Sequence, residues 1–167
     1  GSVNIPDSCV KLINEILPQG KTIFEFGSGY GTVVLSKWYK MISVENQPEW
    51  FNVYPAATTY INVDNKNYDS EGFQAPIGFS DQKGWYNPNQ LIPNLPSKQS
   101  YDLILIDGPG GWLGRAGILK YLSYFNLDIP IVIDDINRPG ERKLLEKISE
   151  TIERDYKILD NKVTGYI

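Results

Sequence analysis

The stretch Thr22-Ile-Phe-Glu-Phe-Gly-Ser-Gly-Tyr-Gly-Thr32 decides the fold. The apolar residues on either side of Glu25 predict a short buried strand, and the three glycines after it predict a tight turn. The apolar run from Thr32 to Tyr39 then predicts a helix. A strand, a glycine turn and a helix in this order point free backbone N–H groups at a ligand. The stretch is therefore a candidate cofactor loop.

The charge of this loop indicates which ligand it suits. A dinucleotide-binding loop has the spacing G-x-G-x-x-G and binds a pyrophosphate, which a neighbouring carboxylate would repel. Here the spacing is G-x-G-x-G, and the carboxylate of Glu25 comes two residues before Gly27. A carboxylate suits a cationic group, such as the α-ammonium of a methionine moiety. The alternative interpretation is a tight turn that only packs the helix on the strand.

Composition restricts both the class of protein and the class of partner. The 167 residues predict one domain, 1–167, with hydrophobic and charged fractions of 41% and 22% that are ordinary for a globular protein. The net charge of −4, without a basic run, argues against nucleic acid or a membrane as the main partner. No apolar run approaches the roughly 20 residues that span a bilayer. The single cysteine, Cys9, favours a reducing compartment, and we expect a cytoplasmic protein.

Strands and helices alternate along the chain. Beyond the loop, the pattern predicts a first helix from Asp7 to Pro18, strands at 40–45, 58–63, 101–107 and 129–134, and helices at 48–51, 115–127 and 138–154. Residues 72–77 compete for the third strand, and 156–167 predict a hairpin. Residues 78–100 predict an aromatic loop packed on the core, with the alternative that its Trp85 and Tyr86 form a wall for a substrate or an adenine ring. The expected fold is α/β, with a doubly wound, mostly parallel Rossmann-like sheet of about seven strands and a C-terminal antiparallel hairpin.

Acidic residues stand at the ends of the predicted strands, where open α/β sheets bind ligands. They are Glu25, Glu45, Asp107, Asp134 and Asp135. Crowded like charges are costly without a cation, and the three aspartates offer the oxygen ligands that Mg²⁺ prefers. Glu45 follows the glycines at about the interval expected for an acid that binds ribose hydroxyls, roughly 20 residues. The alternatives are that Asp134 caps the next turn, and that Asp135 and Glu45 are solvated.

The loop Glu25-Phe-Gly-Ser-Gly-Tyr-Gly31, Glu45 and Asp107 resemble the class I S-adenosylmethionine-dependent methyltransferases across nearly the whole chain. The resemblance implies that S-adenosylmethionine binds at Glu25, Gly27, Ser28, Gly29, Gly31, Thr32 and Glu45. Asp107 with the Asp134-Asp135 pair is similar to the metal-dependent O-methyltransferases of the catechol and macrocin types. That similarity implies Mg²⁺ ligands at Asp107, Asp134 and Asp135, and catalytic roles for Asp107 and Asp135.

A second resemblance concerns the acceptor. Asp107-Gly-Pro-Gly-Gly with Gly114-Arg115, and Asp135 with Arg138, resemble glucuronoxylan methyltransferases, which implies a sugar hydroxyl as acceptor. Arg115 and Arg138 would then orient an anionic or sugar acceptor, unless they form surface salt bridges. The catechol type has a lysine base three residues after the fourth-strand acid, where this chain has Gly110. Asp135 or a metal that lowers the hydroxyl pKa would have to replace that lysine.

We therefore expect methyl transfer to a hydroxyl of a small molecule or glycan. The chain is short for such an enzyme, so a second subunit in a homo-oligomer is one way to complete the acceptor site. Two other classes stay open: a non-catalytic cofactor-binding module of the same fold, and a nicotinamide-dependent oxidoreductase, which the charge and spacing of the glycine loop disfavour.

Overall fold

The computed structural model describes residues 5–54 and 58–167. The strands are β1 Thr22–Phe26, β2 Lys40–Glu45, β3 Thr58–Asn62, β4 Asn65–Asn67, β5 Gly84–Tyr86, β6 Leu103–Ile106, β7 Ile131–Ile133, β8 Lys157–Ile158 and β9 Gly165–Tyr166. The α-helices are α1 Asp7–Ile16, α2 Tyr30–Leu35, α3 Pro88–Leu91 and α4 Pro139–Ile152. Within the described residues no helix combines the length and the apolar content needed to cross a membrane.

Seven strands form one sheet in the order β3-β2-β1-β6-β7-β9-β8. The first five in that order run parallel, and β9 runs antiparallel to both β7 and β8. This confirms the predicted mostly parallel sheet with its closing hairpin. The chain moves outward from β1 to β3 and then returns to the other side of β1 at β6. Open α/β sheets bind ligands at such a reversal, outside the carboxyl ends of the strands.

Both faces of the sheet are covered because β1 alternates its side chains between them. Ile23 packs on one face with Ile13 of α1 and Leu35 of α2. Phe24 and Phe26 pack on the other face in a cluster that includes aromatic residues and α4. Central parallel strands are buried on both sides, which explains why their sequences read as continuous apolar runs.

Two helix predictions need correction. The helix predicted from Thr32 to Tyr39 begins earlier in the sequence and is shorter, because α2 runs from Tyr30 to Leu35. The chain then turns into β2. The helix predicted over 115–127 is wrong: Ala116–Lys120 and Leu122–Tyr124 are separate 3₁₀ turns. Gly117 lies so close to the Trp85 ring that a Cβ would come within 2.3 Å of its Cγ. Tight packing around a residue with poor helix propensity therefore replaces the α-helix.

The region between the third and fourth main strands is more ordered than the predicted aromatic loop. It contains β5 and α3, and β5 pairs antiparallel with β4 to form a separate two-stranded ribbon. Trp85 and Tyr86 of this ribbon are fully buried. The competing strand at 72–77 is wrong, because β3 takes the third place beside β2.

Candidate cofactor and acid site

A cavity of about 300 Å³ lies at the carboxyl edge of β1, β2, β6 and β7. Four of the five acids predicted at the strand ends line it: Glu45, Asp107, Asp134 and Asp135. Of the predicted glycine loop, Gly27 lines it, and Ser28, Gly29, Gly31 and Thr32 do not. The loop 108–112, Asn46, Gln47, Arg115 and Arg138 complete its wall. A larger groove of about 520 Å³ lies between α1 and α2 and contains none of the predicted site residues. We therefore place the site at the strand edge, where the fold also reverses.

The first glycine of the loop is required by close packing. Gly27 has a φ of +89°, and a Cβ there would come within 2.7 Å of the Asp107 carbonyl oxygen. Its N–H donates to the Val44 carbonyl over 2.8 Å. The ends of three neighbouring strands thus meet at this residue, which favours glycine whether or not a ligand binds. The close-packed turn also leaves the backbone edge open to the cavity.

Glu25 lies beneath the loop rather than in the cavity wall. Its Oε1 atom accepts hydrogen bonds from the hydroxyls of Thr32 and Ser43, the latter over 2.9 Å. Burial raises the pKa of this carboxyl from 4.5 to about 7, against the lowering effect of the two hydroxyls. The Thr32 hydroxyl in turn accepts the Gly29 N–H over 3.0 Å. Glu25 therefore anchors the loop, and its binding of a ligand ammonium stays a prediction.

Glu45 lines the cavity, but its carboxylate is already engaged by its own chain. Oε1 accepts the N–H and the hydroxyl of Ser28, over 3.1 and 2.6 Å. Oε2 accepts the N–H groups of Asn46 and Gln47, over 2.9 and 3.0 Å. A carboxylate has about four acceptor positions. Ribose hydroxyls that bind Glu45 would therefore have to share or displace one of these donors.

The three aspartates form one cluster at the ends of β6 and β7. Oxygen atoms of Asp107, Asp134 and Asp135 lie within 4.8 Å of one another. Burial raises the pKa of Asp107 well above its usual range, and burial followed by the charge of Asp135 raises the pKa of Asp134 to about 6. The buried Oδ1 of Asp134 has no hydrogen-bond partner in the described part of the chain.

Arg115 is the buried cation of this cluster. Its Nη2 lies 3.1 Å from Asp135 Oδ2 and 3.9 Å from Asp107 Oδ1. Its other nitrogens donate to the carbonyls of Pro109 and Asp134, over 2.9 and 3.1 Å. A guanidinium with these partners cannot turn toward an acceptor without losing its contacts to the two carboxylates and the two carbonyls. The surface salt bridge considered from the sequence is thus an ion pair between a buried guanidinium and two partly buried carboxylates.

Arg138 is more exposed and connects the cluster to α4. Its Nη2 donates to Asp135 Oδ2 over 2.8 Å, and its Nε lies 2.9 Å from Glu141 Oε2. Asp135 therefore accepts two arginines, which corrects the alternative that it is simply solvated. About 41% of the Arg138 side chain is exposed, so this guanidinium retains an open side for a ligand.

Several residues of the site could not be identified from the sequence. Trp112 lines the cavity, and its side chain is 56% exposed. Its position in the loop after Asp107 could have identified it from the sequence. Asn46 and Gln47 line it because they directly follow β2. Tyr86 of β5 packs behind Gly108 and is not among the residues that line the cavity.

Comparison with known proteins shows the fold. No protein-family model and no curated protein matches the chain. A precorrin 8W decarboxylase from Methanobacterium thermoautotrophicum superposes with a TM-score of 0.61 at 12% identity, covering 99% of this chain and 91% of that one. A methyltransferase-like protein from Silicibacter pomeroyi gives 0.61 at 15%, covering 99% and 88%. A TDP-rhamnose 3'-O-methyltransferase of calicheamicin biosynthesis gives 0.50 at 12%, covering 96% and 75%. The chain has the Rossmann-like fold of class I S-adenosylmethionine-dependent methyltransferases.

Proposed function

We propose that this chain is an S-adenosylmethionine-dependent methyltransferase that acts on a hydroxyl group of a sugar or another small molecule. The observation that carries the proposal is the cavity at the reversal of the sheet, which joins Gly27 of the glycine loop, Glu45 and the three aspartates. The fold adds support by analogy, since one similar structure is a sugar O-methyltransferase. Another similar structure is a decarboxylase, so the fold alone does not determine the reaction.

In this proposal the cofactor binds along the glycine loop, which the free protein already holds in place. When bound, S-adenosylmethionine supplies a methyl group that is already activated, so positioning provides most of the acceleration. We assign the binding edge to Glu25, Gly27, Ser28, Gly29, Gly31, Thr32 and Glu45. Glu45 and Thr32 hold the loop through hydrogen bonds to its backbone, to Ser28 and Gly29 respectively. A loop fixed in this way loses little freedom when a ligand binds.

The proton acceptor in this proposal is a carboxylate. Gly110 stands where the catechol-type O-methyltransferases that the sequence resembles have a lysine, and no lysine is among the described residues that line the cavity. Asp107 faces the cavity and has a strongly raised pKa, so its ionised form takes up a proton more readily than an ordinary aspartate. Asp135 is the second candidate base, held in a fixed orientation by Arg115 and Arg138.

The same aspartates fit a divalent cation. Three carboxylate oxygens within 4.8 Å of one another are suitable donors for Mg²⁺, and the unpartnered buried Oδ1 of Asp134 has room for a ligand bond. When bound, Mg²⁺ would supply a Lewis acid that lowers the pKa of the acceptor hydroxyl. Arg115 competes for two of the three carboxylates, so these arginine contacts would loosen in the loaded protein.

The Mg²⁺ site can be tested by thermal unfolding. We expect Mg²⁺ to raise the melting temperature of the wild-type protein and to have little effect on Asp134→Asn, which loses one carboxylate ligand. Asp128→Asn is the matched control, because Asp128 is an exposed aspartate outside the cavity. Equal shifts in wild type and in Asp134→Asn would exclude Asp134 as a ligand.

A second groove beside the cavity suits the acceptor. It has a volume of about 530 Å³ and shares Gly111, Trp112 and Arg138 with the cofactor cavity. The exposed ring of Trp112 offers a flat apolar face, and Gln82 and the guanidinium of Arg138 lie in the same groove. A flat aromatic face beside polar groups is suited to a sugar ring. We therefore assign the acceptor to this groove.

The experiment that tests the proposed function is thermal unfolding with S-adenosylhomocysteine, the demethylated product. A ligand at 100 times its dissociation constant adds about 2.7 kcal/mol, and each kcal/mol is worth roughly 2–4 °C in a chain of this size. We expect a rise of about 5–10 °C in the melting temperature. No shift at saturating ligand would contradict the proposal.

Two controls separate the alternatives. NADH at the same concentration should give no shift, whereas a nicotinamide-dependent oxidoreductase would respond to it. Transfer of an isotope-labelled methyl group to sugars and catechols distinguishes an enzyme from a binding module. Binding of S-adenosylhomocysteine without transfer to any acceptor would favour the non-catalytic module of the same fold.

A further inference from the structure

Arg138 lies at the boundary between the cofactor cavity and the acceptor groove, because it lines both. Its Nη2 donates to Asp135 Oδ2 over 2.8 Å. A Cβ at Gly111 would come within 2.6 Å of its Nη1, so the lack of a side chain there makes room for the guanidinium. The guanidinium therefore extends from the start of α4 to Asp135 and to the loop that follows β6.

The carboxylates that it contacts include one with an open ligand position. Asp134 is 3% exposed and lines the cavity, and its Oδ1 has no hydrogen-bond partner among residues 5–54 and 58–167. Oxygen atoms of Asp107 and Asp135 lie within 4.8 Å of an oxygen of Asp134. A divalent cation would give the buried oxygen the partner that it lacks. Such a cation must share Asp135 with Arg138.

The two arginines of the cluster contact the same oxygen, Asp135 Oδ2, but they are held differently. The side chain of Arg115 is 5% exposed and donates to two backbone carbonyls. The side chain of Arg138 is 41% exposed, makes no capping hydrogen bond to α4, and lies 2.9 Å from Glu141 in the first turn of that helix. A divalent cation at Asp135 would repel both guanidiniums. Arg138 can leave at the lower cost, because water can solvate it.

We propose that Arg138 regulates metal binding at this site: it occupies Asp135 in the free protein and is displaced into solvent when a divalent cation binds. The inference rests on the proposed function, because it concerns the Mg²⁺ site assigned there. The contact between Arg138 and Asp135 and the binding of the cation oppose each other. By linkage, Arg138 therefore lowers the affinity of the aspartates for the cation, and its removal raises that affinity.

The test compares two double variants, each of which removes one ion pair of α4 and leaves the net charge unchanged. Arg138→Met with Glu141→Gln removes the competing cation together with its partner on the helix, so Glu141 is not left as a buried unpaired carboxylate. Arg142→Met with Glu146→Gln is the matched control. That ion pair also spans 2.9 Å, and Arg142 is 44% exposed, but it lies outside the cavity.

The measured quantity is the dissociation constant for Mn²⁺, which prefers the same oxygen ligands as Mg²⁺ and whose free form is detected by electron paramagnetic resonance. Mn²⁺ is added alone, without cofactor or acceptor. We expect the Arg138 double variant to bind Mn²⁺ about tenfold more tightly than wild type, because one charge-assisted hydrogen bond no longer competes. We expect the control to stay within about twofold of wild type. The single variant Arg138→Met should also bind more tightly, so the test does not depend on the folding of one variant.

The other outcomes have distinct meanings. Binding of Mn²⁺ by the Arg138 variants but not by wild type would be the same result in its strongest form. Equal or weaker binding by the Arg138 variants, or an equal gain in the control, would overturn the role of Arg138. Absence of binding from every protein would overturn this role and the Mg²⁺ site together. A rise in melting temperature with S-adenosylhomocysteine would still leave the methyltransferase standing, whereas its absence in wild type would overturn the proposed function itself.

Discussion

Replacing Arg115 with methionine is expected to lower the free energy of unfolding by about 3–5 kcal/mol at pH 8, the usual cost of removing one partner from a buried ion pair. Arg115 is 4% exposed and lies 3.1 Å from Asp135 and 3.9 Å from Asp107. It also donates to two backbone carbonyls that would lose their partner. Methionine fills part of the space but neutralises none of the three carboxylates.

The loss should depend on pH in a direction that follows from the charges. Arg115 stabilises the ionised forms of the carboxyls, so its contribution is present at high pH and is lost as the pH falls through their folded pKa values. Burial raises the pKa of Asp134 to about 6 and raises that of Asp107 well above its usual range. The difference between wild type and Arg115→Met should therefore shrink between about pH 7 and pH 4.

Denaturant unfolding followed by circular dichroism at pH 8 and pH 5 measures this difference. Lys147→Met is the control, because its ion pair with Glu150 spans 3.6 Å and both side chains are exposed. Exposed ion pairs contribute little, so this variant should unfold close to wild type at both pH values. A loss in Arg115→Met that is as small as the control's, or that does not change with pH, would show that Arg115 is not the cation that holds the cluster.

The central sheet could be predicted from the sequence because each of its strands can be recognised from its own run of apolar residues. The run of apolar residues from Leu103 to Ile106 is buried on both faces and can be recognised without knowledge of its neighbours. The β4–β5 ribbon could not be predicted, since Asn65–Asn67 is a polar segment that forms a strand only by pairing with the distant Gly84–Tyr86. Pairings of this kind depend on tertiary contacts rather than on propensity.

The same difference applies to the candidate site. The aspartates at the ends of β6 and β7 could be brought together from the sequence, because the carboxyl ends of parallel strands meet at one edge. The burial of Arg115 could not, since it depends on 3₁₀ turns where an α-helix was predicted. The position of Tyr86 behind Gly108 could not be predicted either, because it depends on the ribbon. Functional residues that come from irregular segments thus required the structure.

Ionisation of the buried Glu25 is expected to lower the free energy of unfolding of the wild-type protein as the pH rises. Replacing Glu25 with glutamine is expected to remove this loss. Burial raises the pKa of Glu25 from 4.5 to about 7, so the folded protein binds a proton that the unfolded chain releases at lower pH. The contribution of Glu25 to stability is therefore fully present below about pH 4.5 and is lost as the pH rises through about 7. A shift of this size corresponds to about 3 kcal/mol.

Glutamine keeps the acceptor oxygen for Thr32 and Ser43 but carries no charge at any pH. The N–H₂ group of the buried amide lacks an acceptor, and the cost of burying it does not depend on pH. This cost therefore shifts the whole curve of the stability difference against pH without changing its slope. The stability of Glu25→Gln relative to wild type should hence rise by about 3 kcal/mol between pH 4.5 and pH 8. Parallel curves for the two proteins in denaturant unfolding would show that Glu25 titrates normally. The loop anchor would then be an ionised carboxylate even without ligand, which would favour its predicted role as the partner of a ligand ammonium.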